Sequence, residues 1–223
     1  MILPSQYYEE SLYPLQNGVL NIINSCKTHF YLTGGTALSR GYYHHRYSDD
    51  LDFFVNNDSD YAEQVEIILA ALTNNGFTLN AESRIKNMTF NSLKIGWKES
   101  DAALKLDFVN DSTPHFGDIL ETALFERTDP IRNILSNKLS ALFRYAAKDV
   151  ADIREIALHE SINWAEIIRE AREKERGVDT PIIGEILKGI PQNEFDSVIW
   201  TKKPDWAVFC KDIEKIVLDM MSG

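Results

Sequence analysis

The segment Asp50-Leu51-Asp52-Phe53-Phe54-Val55 makes two demands that few folds meet together. Leu51, Phe53, Phe54 and Val55 are apolar enough that the segment must enter a core as a strand. Yet Asp49, Asp50 and Asp52 stand within four residues, and Asp is a poor strand former. In a strand, residues i and i+2 share a face. Asp50 and Asp52 therefore project side by side, while Leu51 and Phe53 point the other way. Adjacent carboxylates repel each other and are pushed up in pKa unless a cation sits between them. A divalent ion such as Mg²⁺ answers that need, because it is hard and takes carboxylate and phosphate oxygens. The plain alternative is a strand edge with solvated aspartates, since D-x-D by itself is short and common.

The surroundings favour a site. Leu32-Thr33-Gly34-Gly35-Thr36-Ala37-Leu38 reads as a strand, a glycine pair and a helix start. Glycine lets backbone approach a ligand closely, and a helix N-terminus attracts anions. Gly34, Gly35 and Thr36 thus form a candidate phosphate cradle ahead of the paired carboxylates. Ser48 is a candidate phosphate contact, with a turn-stabilising hydroxyl as its plain alternative. Downstream, Leu104-Lys105-Leu106-Asp107-Phe108-Val109 alternates, with Asp107 on the polar side. If that strand lies beside the first, Asp50, Asp52 and Asp107 converge. Three carboxylates suit two metal ions, one activating a hydroxyl and one holding a triphosphate. Asp107 could also take the hydroxyl proton.

Organisation changes midway. Helical periodicity is expected over 5–27, from Thr36 to about Arg40, and over 61–75; strands over 30–33, 50–55, 77–86, 88–97 and 103–109. Beyond these, 131–147, 149–160, 163–175 and 205–221 read as helices, with an ordered loop at 189–204. The class is α+β: a head over 1–115 that includes the N-terminal helix, then a helical lobe over 116–223. The 223 residues carry net charge −11 from 23 basic and 34 acidic side chains, so a uniformly basic nucleic-acid surface is excluded. No apolar run is long enough for a membrane span. The start, MILPSQYYEESL, lacks a leader's basic and apolar regions. Cys26 and Cys210 form no metal motif; a reducing cytoplasm fits.

Against that acidity, no acidic residue lies between Asp129 and Asp149, where Arg132, Lys138, Arg144 and Lys148 are basic. Leu135, Leu139, Leu142 and Ala146 give this helix one buried stripe. Lys138 at its edge could snorkel to a triphosphate and neutralise developing charge. Asp149 could cap a helix over 150–160, with Asp152 in its first turn. A direct site role for both is the alternative.

These residues carry a family resemblance. Gly34-Gly35-Thr36-Ala37-Leu38, His45-Arg46 and Ser48-x-Asp50-x-Asp52-Phe53-Phe54 form one block. Lys138-Leu139-x-Ala141-Leu142-x-Arg144 and Lys148-Asp149-x-x-Asp152-Ile153 form the second. Together they span about residues 30–155 and resemble the AbiEii/AbiGii-type nucleotidyltransferase toxins, a branch of the polymerase-β-like superfamily. The resemblance implies a mixed-sheet head, a helical C-terminal lobe, NTP and Mg²⁺ as ligands, and the role of toxin beside a cognate antitoxin. It implies nucleotide contacts by Gly34, Gly35, Thr36, Ser48, Lys138, Asp149 and Asp152, with His45 and Arg46 ordering the loop before the strand. Some members transfer nucleotides to tRNA ends. A small-molecule or protein hydroxyl as acceptor, and a non-catalytic partner-binding role on the same fold, remain alternatives here.

Overall fold

A computed structural model describes residues 4–97 and 102–222. Residues 1–3, the start of the stretch read for a leader, lie outside them. The chain forms two compact units, each drawn from several segments. The first comprises 1–42, 47–112 and 119–129; the second comprises 43–46, 113–118 and 130–223.

The first unit is built on one five-stranded sheet. Its strands are β1 (Tyr31–Thr33), β2 (Leu51–Asn56), β3 (Phe77–Lys86), β4 (Phe90–Trp97) and β5 (Ala103–Asp111), in the order β1-β2-β5-β4-β3. β2 and β5 run parallel and the other neighbours antiparallel, so the sheet is mixed. Alternation makes these strands: Leu51, Phe53 and Val55 are buried, as are Leu104, Leu106 and Phe108, while the residues between them are half-buried. Phe53 and Phe108 stack at 5.5 Å, which ties β2 to β5 through the core.

A continuous helical run opens the unit: α1 (Pro4–Tyr7), a π-helical turn over Tyr8–Leu12, and α2 (Tyr13–Cys26). α2 buries Leu15, Val19, Leu20 and Ile23 on one stripe. It rides close over the sheet because Gly18 has no side chain: a Cβ there would meet the Trp97 ring at 2.9 Å. α4 (Tyr61–Asn74) buries Val65, Ile68, Leu69 and Leu72. After β1 the chain turns at Gly34 into α3 (Gly34–Thr36) and a π-helical stretch, Ala37–Tyr43. The outer edge of β1 is covered by residues 127–129. The Leu32 amide donates to the Arg127 carbonyl at 2.8 Å, and the Asp129 amide donates to Leu32 at 2.9 Å.

The second unit is helical: α5 (Ile131–Ser140), a 3₁₀ turn (Leu142–Arg144), α6 (Ala147–His159), α7 (Trp164–Lys174), α8 (Thr180–Lys188), α9 (Gln192–Ser197) and α10 (Trp206–Ser222). Three expectations are corrected here. The helix expected over 131–147 ends at Ser140, and Tyr145 adopts a left-handed φ of 54°. The leucine stripe runs on past the break, because Leu142 is buried all the same. α8 was not foreseen. Its Pro181 sits in the first turn, where the missing N–H costs nothing. Its Gly184 marks close packing, since a Cβ there would stand 3.0 Å from Val217 of α10. α9 lies within the expected loop of 189–204 and is held by Phe195, whose ring packs on Trp200, Trp206 and Phe209.

Candidate active site

The register of the sheet decides how the carboxylates meet. Asp52 on β2 pairs with Asp107 on β5 in parallel. Directly paired residues share a face of the sheet, so the two side chains project together from strands about 4.8 Å apart. Asp50 stands immediately before β2 and shares their face, two residues from Asp52. The adjacency of β5 to β2 supplies what the sequence left conditional.

The glycine turn packs against the start of β2. The Thr36 hydroxyl donates to the Asp50 carbonyl, which clamps the start of the helical turn to the start of β2. Gly34 lies against Asp52: its φ is +69°, and a Cβ would be driven into the Asp52 carboxylate. Gly34→Ala is therefore expected to cost about 1–2 kcal/mol from the left-handed backbone alone, read as a fall in the chemical denaturation midpoint at unchanged slope. Ser48 is buried, and its carbonyl accepts from Gln16 Nε2 at 3.1 Å. The Thr33 hydroxyl donates to the buried Asp129 carboxylate.

Asp107 is held on one side and open on the other. Lys105 Nζ donates to its Oδ2 at 2.5 Å, while Oδ1 is buried and has no hydrogen-bond partner among the described residues. Burial pulls the Lys105 ammonium down, but the Asp107 hydrogen bond and the charges of Asp107, Asp50 and Asp52 outweigh it, so its pKa is raised. One cation thus feels all three carboxylates, which places them in one electrostatic field. A buried carboxylate oxygen without a donor is costly unless a ligand or cation meets it. The donor set, all carboxylate oxygen beside a side-chain-free glycine, fits a hard divalent ion. Among the described residues, no three His, Cys, Asp or Glu side chains, these aspartates included, are grouped as they would be around a metal ion.

Lys138, Asp149 and Asp152 belong to the second unit, where they form a cluster of their own. Lys138 Nζ lies 2.8 Å from Asp149 and 2.6 Å from Asp152. Asp152 also accepts from Arg46 Nε at 2.7 Å and contacts His45 Nε2 at 2.8 Å. Arg144 Nη2 donates to Asp149 at 2.7 Å. Both aspartates are fully buried. Burial pushes the Asp152 carboxyl up, but the charges of Arg46 and Lys138 and the His45 contact hold it well below the usual carboxylate range. Asp149 is lowered in the same way by Lys138 and Arg144. Lys138 is raised: Asp152 and Asp149 outweigh its burial.

Two sequence expectations are corrected by this cluster. Lys138 does not snorkel outward; its ammonium is buried between two carboxylates. Asp149 does not cap a helix, since α6 begins at Ala147 and Asp149 sits inside its first turn. The expectation that His45 and Arg46 order the loop ahead of the strand gains a physical basis. Asp152 binds both, Thr201 N–H donates to the His45 carbonyl at 3.1 Å, and Arg46 bridges to Trp200. Lys105 was missed. Its sequence signal is the shared face with Asp107, two residues on.

The sequence and the fold both have known relatives. Residues 22–219 match the family described as nucleotidyl transferase AbiEii toxin, type IV toxin–antitoxin system. Solved structures are similar over most of the chain, two of them as follows. JHP933 from Helicobacter pylori is 20% identical, covers 94% of this chain and 92% of its own, and superposes with a TM-score of 0.66. MenT4, a nucleotidyltransferase toxin from Mycobacterium tuberculosis H37Rv, is 15% identical, covers 95% and 83%, and has a TM-score of 0.64. At such identities the likeness is one of fold. No curated protein matches the sequence.

Proposed function

Because the chain belongs to the AbiEii nucleotidyl transferase toxin family, and is therefore a nucleotidyltransferase, we propose that it transfers NMP from an NTP to a hydroxyl of an RNA, most specifically tRNA, using Mg²⁺ held by Asp50, Asp52 and Asp107. The observation that carries this reading is the pairing of Asp52 with Asp107, with the Asp107 Oδ1 buried and without a hydrogen-bond partner among the described residues.

When bound, Mg²⁺, as one ion or two, supplies positive charge that activates the attacking hydroxyl and neutralises the triphosphate. The remaining work falls to the chain. The acceptor oxygen bonds to the α-phosphorus as the bond from that phosphorus to the β-bridging oxygen breaks. Pyrophosphate leaves with the electron pair, and the hydroxyl proton passes to Asp107 at Oδ1. Gly34 and Gly35, which with Thr36 form the short α3, let phosphate approach the backbone. The Ser48 hydroxyl is a further phosphate contact. Three cations, Arg46, Lys138 and Arg144, meet two aspartates in the second cluster. That surplus of positive charge supports nucleotide contacts by Lys138, Asp149 and Asp152 within the second unit.

The family's type IV toxin–antitoxin description supports a cognate antitoxin as partner. Among the described residues no helix is long and apolar enough to cross a membrane. Cys26 and Cys210 are free thiols, which fits action in a reducing cytoplasm. For the acceptor, the overall charge of −11 favours the competing small-molecule or protein hydroxyl; within the basic segment Arg132, Lys138 and Arg144 are paired with carboxylates, so its support for RNA rests on the exposed Lys148.

The test is incubation with each α-phosphate-labelled NTP, Mg²⁺, and either total RNA or an RNA-free extract. Label in RNA is the expected result; label confined to protein or small molecules would move the acceptor to that class. Lys148 separates the cases further, because it is exposed and makes no ion pair among the described residues. Lys148→Glu should weaken RNA labelling about 3–10-fold and flatten its salt dependence, with NTP affinity unchanged. Arg144 is a poorer probe, since it shares the buried Asp149 with Lys138 and its replacement would disturb that cluster.

A further inference from the structure

The three carboxylates already have a cation, and it belongs to the chain. Lys105 and Asp107 lie two apart on β5 and share a face. The ammonium sits on Asp107 Oδ2 at 2.5 Å. Continuing the β2–β5 register one residue back sets Asp50 level with Lys105. The lysine side chain is still 38% exposed, so its four-carbon stem can swing outward without opening a core. We propose that Lys105 is the resident counter-cation of the Asp50/Asp52/Asp107 site and is displaced from Asp107 when a divalent ion enters.

The inference rests on the metal assignment above and adds an energetic consequence. In the free protein, Lys105 relieves the repulsion that three neighbouring carboxylates would otherwise suffer. A bare divalent ion must compete with an ammonium that is already in place, so it binds weakly. An incoming triphosphate changes the balance, because it offers the displaced lysine a new anion. The same side chain then serves twice: it holds the empty site together, and it meets phosphate once the ion has taken the carboxylates. A lysine suits this exchange better than an arginine fork would, being a point charge on a flexible stem.

The test is Mn²⁺ binding to the full chain without nucleotide, followed by the electron paramagnetic resonance signal of free Mn²⁺. Lys105→Met removes the competitor and should tighten Mn²⁺ binding by on the order of tenfold. Lys105→Gln serves as a second neutral variant, and Lys105→Arg, which keeps the charge, should bind more like the parent. The gain should vanish in Lys105→Met/Asp52→Asn. Equal or weaker binding in both neutral variants, with Asp52 still required, overturns the displacement and leaves the metal site standing. Binding that ignores Asp52, or no binding in any variant, overturns both. Because the readout is ion affinity, a loss of turnover from a missing phosphate contact cannot imitate it.

Discussion

Asp52→Asn is expected to lower nucleotide transfer by on the order of 10³-fold or more and to leave the fold in place. The two halves of this expectation have different causes. Asn has the size of Asp and keeps an acceptor oxygen against Gly34, where the backbone leaves no room for a larger change. The substitution removes one of three carboxylates that share a face of the sheet, so mutual repulsion falls and stability should move by less than about 1 kcal/mol. Function depends on the charge that is lost. A neutral amide cannot hold a hard divalent ion in the way a carboxylate does, and Asp50 and Asp107 are left without the carboxylate between them. The measurement is transfer of label from an α-labelled NTP beside a thermal melt of the same preparation. Transfer that survives within tenfold of the parent would remove Asp52 from the site, and with it the reading of the Asp52–Asp107 pair.

Much of this centre could be read along the chain, because its logic is local. The alternation in Leu51-Asp52-Phe53 and Leu104-Lys105-Leu106-Asp107-Phe108 assigns one face to the core and one to chemistry. Two glycines before a helix mark a close backbone approach, and Gly34 provides one against Asp52. Strand order was not local. Nothing in either strand says that β5 inserts between β2 and β4, which is settled by the aromatic packing of Phe53 on Phe108. Lys105 went unread because a lysine on a polar strand face normally faces water. The Asp152 cluster went half-read for a related reason: its partners His45 and Arg46 lie more than a hundred residues away, and no periodicity links them. α8 and α9 were hidden by Gly184 and Pro191, which read as breaks in isolation. In the fold, one admits Val217 and the other precedes the first turn of α9.

Asp152→Ala is expected to cost about 3–5 kcal/mol, the largest single loss of stability in the second unit. Its carboxylate is fully buried and faces Arg46, Lys138 and His45. Truncation leaves two cations in low dielectric with only Asp149 to compensate, and it unhooks the 43–46 segment. Arg46→Met should cost less, because Lys138 remains to balance Asp152. The pH dependence distinguishes a charge effect from a packing effect. Asp152 is held well below the usual carboxylate range in the folded protein, so its contribution is present above the unfolded value near about 4. It is lost as pH falls through the folded value. The gap in unfolding free energy between the parent and Asp152→Ala should therefore be full at neutral pH and shrink below about pH 4. Denaturant titrations from neutral pH into acid measure it directly. A gap that stays constant into acid would mean that the side chain stabilises by volume, and that Arg46 and Lys138 are balanced elsewhere.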